Sequence, residues 1–297
     1  MKILCVCLSP SIQRTLVFDN FTTAQVNRTK NYIQNAGGKA INTARVIEQL
    51  APGTAVCIFP LAKQNSGEFL SLLNKDSIRS KTVSVPGSTR TCWTALSKYG
   101  ETTEIIAEEP VLQAPEFFER REKQLVKLIQ KEAGKADALI LSGSAPLCWN
   151  QDIYSKIAKE AADSGLAIVL DFKGPALLSC LDELKNCTNS IFVKINMDEF
   201  TETFSQGLLA PVTKRYPNVT FIVTDGKLPT HAASSTMEEK TFESKEIRVV
   251  NTTACGDSFN AGFIVEFLKS HNPESAVREG IRCASLNAKT IVPGSLV

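Results

Sequence analysis

The sequence predicts an α/β fold in which a mostly parallel central sheet is covered by helices on both faces. Short apolar runs alternate with segments of helical spacing along most of the 297 residues. The runs are apolar at consecutive positions, which is typical of strands buried on both faces. No internal repeat, low-complexity tract or long linker interrupts this pattern. We therefore expect a single domain, residues 1–297, although a chain of this length could also form two smaller domains.

Each predicted element has its own signal. The predicted strands are residues 2–8, 54–59, 137–142, 166–171, 190–195 and 219–224. The predicted helices are residues 39–50, 66–73, 115–133, 150–164, 197–205, 256–270 and 274–290. The first helix ends at Ala51-Pro52-Gly53, a strong stop signal, and Pro115 fits the first turn of the third helix. In such sheets, ligands bind beyond the carboxyl ends of the strands.

Two regions differ from this alternation. Residues 11–36 and 80–107 resemble short strands joined in hairpins, and Tyr99-Gly100-Glu101 supplies the turn of the second hairpin. Both regions lie between strand–helix units. We therefore expect them to meet as a small β-sheet lid over the ligand crevice.

Composition excludes several classes of partner. A formal net charge of +2, with 22% charged and 43% hydrophobic residues, gives no reason to expect binding to nucleic acid or to an acidic membrane. No apolar run approaches the roughly 18 residues needed to span a bilayer, and the N-terminal run is too short for a signal peptide. We expect a soluble, cytoplasmic protein without nucleic-acid or membrane partners.

The nine cysteines are scattered, with no C-x-x-C pair among them. Their odd number and the lack of a secretory signal favour reduced thiols over disulfides. The spacing also gives little support to a structural zinc site. Most of these cysteines are therefore expected to be small buried hydrophobic residues.

The most informative segment is residues 251–263, where a turn of small residues leads into an apolar helix with Asp257 at its start. Turn amides followed by a helix N-terminus form a site for an anion, because unpaired N–H groups and the positive dipole end face the same point. A carboxylate beside such a site can accept the proton of a hydroxyl that attacks a phosphate. The alternative is that Asp257 only caps the helix.

A second glycine-rich element, Gly37-Gly38-Lys39, opens the first long helix. Paired glycines allow a ligand to approach the backbone closely, and the helix start directs Lys39 and Asn42 towards it. A lysine at a helix N-terminus opposes the dipole, so it favours a nearby anion. The element matches neither the Walker loop nor the dinucleotide-binding pattern.

Further motifs occur along the chain: Ser9-Pro10-Ser11-Ile12-Gln13-Arg14-Thr15-Leu16, Val26-Asn27-Arg28, Thr89-Arg90-Thr91, Leu141-Ser142-Gly143-Ser144, Lys194-Ile195-Asn196 with Glu199, and Val223-Thr224-Asp225-Gly226. Together with the two glycine-rich elements, these motifs resemble in kind and order the PfkB/ribokinase superfamily of carbohydrate kinases. They are most similar to its branch of 1-phosphofructokinases and tagatose-6-phosphate kinases. The resemblance implies a ribokinase-like three-layer α/β/α fold with a small β-sheet lid.

The resemblance also implies an ATP- and Mg²⁺-dependent enzyme that phosphorylates a hydroxyl of a sugar phosphate. Asp257 would be its general base, and the backbone N–H groups of Ala254, Cys255 and Gly256 would form an anion hole. The implied substrate-binding residues are Gln13, Arg28, Gly38, Lys39, Asn42 and Arg90. The implied ATP-binding residues are Lys194, Thr224, Gly226 and Asn287, and the implied metal-binding residues are Asn196 and Glu199. Lids of this family often pair between subunits, which implies a homodimer.

Several of these residues have structural alternatives. Asn196 and Glu199 have the N-x-x-E spacing of a helix capping box. Arg28 and Arg90 could be solvated charges of the lid.

Because Cys255 lies at a helix N-terminus within the anion hole, its thiol is expected to favour the thiolate and to be alkylated faster than the other cysteines.

Three residues differ from the pattern of the family branch. Gln13 replaces an Asp, Cys92 replaces an Asn, and Ala254 replaces a Gly. The first two changes affect the sugar side of the site, so the identity of the sugar stays open. A kinase of an unphosphorylated sugar or nucleoside is the first alternative, and a non-catalytic sugar or nucleotide sensor is the second.

Overall fold

A nine-stranded sheet forms the centre of the computed structural model, which describes residues 1–97, 101–107 and 115–297. Its strands are β1 (Ile3–Val6), β4 (Ala55–Ala62), β5 (Arg79–Val85), β8 (Ala138–Ser142), β9 (Ala167–Asp171), β10 (Ile191–Asn196), β11 (Val219–Asp225), β12 (Leu228–Ala233) and β13 (Lys240–Phe242). Their order is β13-β12-β11-β10-β9-β8-β1-β4-β5. The strands from β11 to β5 are parallel, whereas β12 and β13 are antiparallel additions at one edge. The prediction of a mostly parallel central sheet is confirmed.

Helices cover both faces of this sheet, because successive side chains of each strand point to opposite sides. In β1, Ile3 and Cys5 join the apolar core on one face, and Leu4 and Val6 join the core on the other. The first face is covered by α1 (Lys39–Leu50), α2 (Ser66–Lys75), α8 (Cys255–Ser270) and α9 (Pro273–Asn287). The second face is covered by α3 (Pro115–Ala133), α4 (Ile153–Asp163), α5 (Pro175–Leu184), α6 (Met197–Phe204) and α7 (Leu209–Arg215). The three-layer α/β/α prediction is also confirmed.

A second sheet of four strands lies within the described ranges. Its strands are β2 (Ser11–Phe18), β3 (Asn31–Gly37), β6 (Arg90–Ser97) and β7 (Thr102–Ile106), in the order β3-β2-β6-β7. Ser11 pairs with Gly37 at one end of the β2–β3 hairpin, and α1 begins two residues after Gly37. The small sheet therefore joins the rest of the protein directly at the glycine-rich start of α1.

All six predicted strands and all seven predicted helices are present, with ends that differ by at most a few residues. The predicted lid segment 80–107 needs one correction, because residues 79–85 pair with β4 in the central sheet rather than with the lid. Of the turn predicted at Tyr99-Gly100-Glu101, residues 98–100 lie outside the described residues. Among the described residues, every helix is either too short or too polar to cross a lipid bilayer.

Helices α5 and α7 and strands β12 and β13 were not predicted from the sequence. The start of α5 carries a recognisable signal, since Gly174 has a φ of 72° and Pro175 occupies the first helical turn. Strand β13 is the short edge strand of this sheet, and β12 lies between β13 and β11 and contains Pro229. Their sequences lack the continuous apolar pattern of the central parallel strands, because strands at the edge of a sheet are less enclosed.

Candidate active site

The strand order creates a crevice at the carboxyl end of β1. The chain continues from β1 to β4 and β5 on one side and later from β8 to β11 on the other, so the order reverses beside β1. Ligands of open α/β sheets bind at this kind of position. Gly143 follows β8 with a φ of 95°, and a Cβ built on it would lie 3.8 Å from the Cβ of Lys39. The loop after β8 therefore lines the crevice next to the start of α1.

The start of α1 requires glycine for two physical reasons. Gly38 has a φ of 119°, which L-residues rarely adopt, and a Cβ there would lie 2.8 Å from the Sγ of Cys7. The next residue, Lys39, has a side chain that is 41% exposed, and its Nζ lies 3.3 Å from Oδ1 of Asp171. The negative charge of Asp171 raises the pKa of Lys39 in spite of partial burial. The α1 terminus thus presents a fully charged lysine to the crevice.

Asp257 lies in the first turn of α8 and is only 5% exposed. The N-cap residue of α8 is Ala254, so Asp257 is not at the capping position. Its Oδ2 accepts a hydrogen bond of 2.9 Å from Nδ2 of Asn42, which is 215 residues away in sequence. The two glycine-rich helix starts identified in the sequence therefore meet through this hydrogen bond.

Four charged groups, two acids and two lysines, determine the electrostatics of the crevice. Asp171, at the end of β9, is fully buried and lies between Nζ of Lys39 at 3.3 Å and Nζ of Lys194 at 3.5 Å. It also accepts a hydrogen bond of 2.7 Å from Nδ2 of Asn260. Burial raises the pKa of Asp171, but Lys194, Lys39 and the Asn260 hydrogen bond outweigh burial and hold that pKa below its ordinary value. Asp171 is therefore a fixed negative charge.

The same cluster tunes the carboxyl group of Asp257. Burial raises the pKa of Asp257 to about 6, and the negative charge of Asp171 adds to the rise. Lys39, the Asn42 hydrogen bond and Lys194 act in the opposite direction. A carboxylate with a pKa just below neutrality is mostly ionised at pH 7 and still basic enough to accept a proton.

The start of α8 packs closely around its backbone amides. A Cβ built on Gly256 would lie 2.7 Å from Nζ of Lys194, so this glycine lets the ammonium group reach the helix terminus. Ala254 has a φ of 67°, in the left-handed region that favours glycine. The amide of Asn287 donates to the carbonyl of Thr253 at 2.8 Å and accepts from the backbone N–H of Gly294 at 2.7 Å. Asn287 thus holds the turn in place.

The expectation of a thiolate at Cys255 is wrong. Burial raises the pKa of this thiol above its ordinary value, and the charge of Asp257 adds to the rise. The hydrogen bond from Asn287 and the charge of Lys194 only partly oppose these effects. Preferential alkylation of Cys255 is therefore no longer expected.

The predicted nucleotide-binding residues Thr224 and Gly226 and the predicted metal-binding residues form a second group at the ends of β10 and β11, whereas Lys194 and Asn287 contact the start of α8. Asn196 pairs in register with Thr224, and Gly226 follows in the next turn with a φ of 57°. Asn196 and Glu199 form a complete capping box at the start of α6, with hydrogen bonds of 2.8 and 3.1 Å. Among the described residues, no group of three or more His, Cys, Asp or Glu side chains could hold a metal ion.

The lid residues lie at different distances from this crevice. Arg90 starts β6 and pairs with Ser11 at the end of the sheet next to Gly37 and Gly38. Gln13 donates a hydrogen bond of 2.8 Å to Oγ1 of Thr94, on the neighbouring strand. Arg28 is exposed and lies beyond the opposite end of the β2–β3 hairpin.

The lid also contacts the start of α8 directly. Oγ1 of Thr253, in the turn before α8, donates a hydrogen bond of 2.9 Å to the carboxylate of Glu104 on β7.

Among the residues that sequence reasoning missed, Asp171 and Asn260 are the most important for the site. Asp171 is the only charged residue in its apolar strand, which is a signal that the sequence could have provided.

A model of the pfkB family of carbohydrate kinases matches residues 2–294 of this chain. The chain belongs to the pfkB carbohydrate kinase family. This pfkB-family protein is accordingly an ATP-dependent sugar kinase.

Solved structures of other kinases share the fold of this pfkB-family protein. A possible 1-phosphofructokinase from Thermotoga maritima is 18% identical with a TM-score of 0.86, covering 98% of this chain and 93% of that chain. Phosphofructokinase-2 from Escherichia coli is 20% identical with a TM-score of 0.82, and the match covers 97% of this chain and 93% of that chain. Ribokinase from Thermotoga maritima is 19% identical with a TM-score of 0.73, and the match covers 100% of this chain and 96% of that chain. Another structure of the Escherichia coli enzyme is of its tetrameric inhibited form.

Proposed function

We propose that this pfkB-family kinase transfers the γ-phosphoryl group of ATP to a hydroxyl of a sugar phosphate, with Asp257 as the general base. The observation that carries the proposal is the position of Asp257. Its buried carboxylate lies in the first turn of α8, receives a hydrogen bond from Asn42 and has a pKa raised to about 6. A group in this state accepts the proton of an attacking hydroxyl near neutral pH.

The backbone around Asp257 supplies the electrostatic part of the mechanism. The N–H groups of Ala254, Cys255 and Gly256 lie at the start of α8, where amides have no partner within the helix. In this turn, the N–H of Cys255 donates to the carbonyl of Thr252 at 3.2 Å. The three N–H groups stabilise negative charge that develops on the transferred phosphoryl group. Nζ of Lys194 lies against the backbone at Gly256 and adds a positive charge there. Asp171 holds Lys194 and Lys39 on the two sides of the crevice.

The end of β10 suits a hydrated magnesium ion that accompanies ATP. Mg²⁺ prefers oxygen ligands and usually keeps several waters, so it requires few protein groups. Asn196 and Glu199 offer such oxygens, since a carboxylate can accept further contacts beyond the capping hydrogen bond. We propose that these two residues would hold the ion, which would supply charge neutralisation for the phosphates. Thr224 and Gly226, beside Asn196, would contact the nucleotide, and Asn287 would support its binding loop.

The phosphate already present on the substrate would be bound by Arg90 and Lys39, at the junction of the lid and α1. Lys39 is charged and partly exposed there, and Arg90 lies at the same end of the lid as Gly37 and Gly38. Asn42 and Gly38 would contact the sugar. Gln13 is half-buried and donates to Thr94, so it offers the sugar a neutral amide where the family branch has a carboxylate.

We further propose that two copies pair through the outer face of the lid. The strand register places Tyr32, Leu16, Trp93 and Ile105 on one face, opposite to the face that carries Gln13 and Glu104. Tyr32 is 60% and Ile105 53% exposed in the single chain, and a second copy would cover both. If the protein is such a dimer, Tyr32→Asp or Ile105→Asp should reduce the molar mass measured by light scattering to that of a monomer. Leu228→Asp, on the central sheet, should leave the molar mass unchanged. Unchanged mass in both lid variants would reject this pairing.

The same register explains how Arg28 could still bind substrate. Val17 pairs with Asn31 and Ser11 pairs with Gly37, so Arg28 lies beyond the far end of the hairpin. At about 3.3 Å per residue, this end is roughly 20 Å from the start of α1. Arg28 therefore lies far from the crevice of its own chain and would act in the crevice of a paired copy.

A coupled ADP-release assay tests the proposed reaction. The acceptors are fructose 1-phosphate, fructose 6-phosphate, tagatose 6-phosphate, fructose, ribose and nucleosides. We expect turnover with a phosphorylated sugar, and Arg90→Ala should raise KM for that sugar far more than KM for ATP. Turnover of fructose, ribose or a nucleoside that is insensitive to Arg90→Ala would reject the sugar-phosphate assignment. ATP binding without turnover of any acceptor would reject catalysis.

A further inference from the structure

Arg45, on α1, is a buried charge outside the site described above. Its exposure is only 5%, and its helix packs against an apolar core that includes Ile41 and Val46. Arginine is almost never buried unless its guanidinium group is paired, because transfer of a charge from water is costly. Its contacts therefore indicate what it does.

The guanidinium group binds four oxygens from separate parts of the chain. Nε donates to Oδ2 of Asp76 at 2.8 Å. Nη1 donates to Oδ1 of Asn42 and to the carbonyl of Pro293, both at 2.9 Å. Nη2 donates to the carbonyl of Ala36, at the end of β3. Only one of these partners, Asn42, contacts the proposed base.

The contact with Asn42 determines which end of its amide faces Asp257. A side-chain amide has one accepting oxygen and one donating NH₂ group, and arginine can only donate. Because Oδ1 of Asn42 accepts from Arg45, Nδ2 is the group left to donate to Asp257. A flipped amide would place two donors together at Arg45 and two acceptors together at Asp257. Both contacts would be unfavourable in a buried site.

We propose that Arg45, held by Asp76, is a positioning residue that acts through the amide of Asn42 to orient the base Asp257. This proposal rests on the proposed function of Asp257. The chain of contacts runs Asp76–Arg45–Asn42–Asp257, and each link is a hydrogen bond of 2.8 or 2.9 Å. Among the hydrogen-bond partners of the Arg45 side chain, Asn42 is the one that belongs to the proposed site.

The hydrogen bond from Asn42 lowers the pKa of Asp257 and so keeps the base ionised. Without Arg45, the amide is free to turn its oxygen towards Asp257, which favours the protonated carboxyl group. The other titratable groups facing Asp257 are Asp171 on β9, Lys39 on α1, Lys194 on β10 and Cys255 on its own helix. All of them stay in place in Arg45→Lys, which also keeps the positive charge at position 45, so a change in titration in that variant reports on the amide.

Arg45→Lys is the test variant, because it keeps the positive charge and loses the fork that holds Asn42 and Asp76 together. We expect kcat to fall about tenfold, the effect of losing one hydrogen bond of roughly 1.4 kcal/mol. The acidic limb of the profile of kcat/KM against pH should shift to higher pH by about one unit, because a loss of roughly 1.4 kcal/mol raises the pKa of Asp257 by about one unit. An acidic limb at the wild-type position would overturn the proposal.

Gln49→Ala is the matched control for a purely structural role. Gln49 lies one turn further along α1 and binds residues 293–296, the segment that Arg45 also contacts through Pro293. Its Nε2 donates to the carbonyl of Gly294 at 2.9 Å and to the backbone carbonyl of Arg45 at 3.0 Å, and its Oε1 accepts from the N–H of Leu296 at 2.9 Å. It does not contact Asn42. We expect Gln49→Ala to lower Tm and to leave the acidic limb unchanged. An equal upward shift in this control would mean that loosening of the segment, and not Asn42, causes the effect.

Asp76→Asn keeps the experiment informative if Arg45→Lys fails to fold. The loss of a negative charge should by itself lower the pKa of Asp257, whereas looser positioning of Arg45 should raise it. An upward movement of the acidic limb supports the proposal, and a downward or absent movement overturns it. In a double-mutant cycle with Asn42→Ala, the shift from Arg45→Lys should disappear, because both changes act on one contact.

Asp257→Asn separates this inference from the proposed function. If that variant retains near-normal turnover, Asp257 is not the base and the proposed mechanism fails. If it loses turnover while Arg45→Lys keeps the wild-type limb, only the positioning role of Arg45 fails.

Discussion

Two helix N-termini meet in the crevice, and their chemistry is opposite. Helix α1 begins with Gly38 and the cation Lys39, whereas α8 begins with Ala254 and has the acid Asp257 in its first turn. Neither N-cap residue makes a side-chain capping hydrogen bond, so no cap side chain occupies the first backbone N–H groups of either helix. In the proposed function, one terminus binds an anion with the help of a lysine, and the other carries the base beside an anion site.

The two termini share one counter-ion. Asp171 lies within 3.5 Å of Lys39, which belongs to α1, and of Lys194, which reaches the backbone of α8. The same acid raises the pKa of Asp257. A lysine at each terminus and one buried acid between them therefore set the charge of both halves of the site. The difference between the termini lies in the charged residue of the first helical turn, which is Lys39 in α1 and Asp257 in α8.

The largest effect is expected from Asp257→Asn. An amide of the same shape cannot accept the proton, so kcat should fall by roughly 10²–10⁴ while the fold is kept. Steady-state kinetics measures this loss. Glu274→Gln is the control, because Glu274 is also an acid in the first turn of its helix, α9, which begins after the end of α8 that is remote from Asp257. Loss of activity in the control, or near-normal activity in Asp257→Asn, would contradict the role assigned to α8.

Asp171→Asn should have the next largest effect, because it removes the counter-ion of both lysines. We expect kcat/KM to fall by roughly 10–100-fold, the scale of misplaced substrate-binding groups. The negative charge of Asp171 raises the pKa of Asp257, so its loss should move the acidic limb to lower pH. A profile of kcat/KM against pH measures both changes. A limb that moves to higher pH would contradict the shared-counter-ion model.

Gly256→Ala should have a smaller effect that is specific to α8. Its Cβ would lie 2.7 Å from Nζ of Lys194, so the flexible ammonium group must move away from the helix start. We expect about a tenfold loss of kcat, from a weakened charge contact, and little change in Tm. Gly67→Ala is the matched control, since Gly67 is the second residue of α2 and a Cβ there would meet nothing within 4 Å. Equal losses in both variants would reject the role of Lys194.

Ala254→Gly should give the smallest effect, a gain in stability. Alanine at a φ of 67° costs about 1 kcal/mol relative to glycine, so the variant should raise the free energy of unfolding by about that amount. Chemical denaturation measures the change. Ala24→Gly is the control, because Ala24 has a φ of 61° in the lid, away from both helix starts. A gain in the control without a gain in Ala254→Gly would show that contacts of the Ala254 methyl group offset the strain.

The sequence predicted the elements that depend on local pattern. Consecutive apolar residues identified the buried strands, and helical spacing with Pro and Gly signals identified the main helices. It failed for residues 79–85, whose polar and apolar positions do not show which sheet they join. These residues join the central sheet because they pair with β4, and a sequence pattern does not reveal such a long-range contact. Likewise, the helix position of Cys255 suggested a lowered pKa, but burial in the folded protein outweighs the helix dipole.

The sequence by itself determined that two glycine-rich turns each lead into a helix and carry Lys39 and Asp257, because turn chemistry and helix starts are local properties. Only the tertiary structure decided which groups control them. Asp171 contacts Lys39 and Asn260 across large sequence separations, and Arg45, three residues from Asn42, is held by Asp76 and by the carbonyl of Pro293. No local pattern reveals these partners or their burial. The protonation state of Asp257 was decided in the same way, by desolvation and the nearby charges in the folded chain.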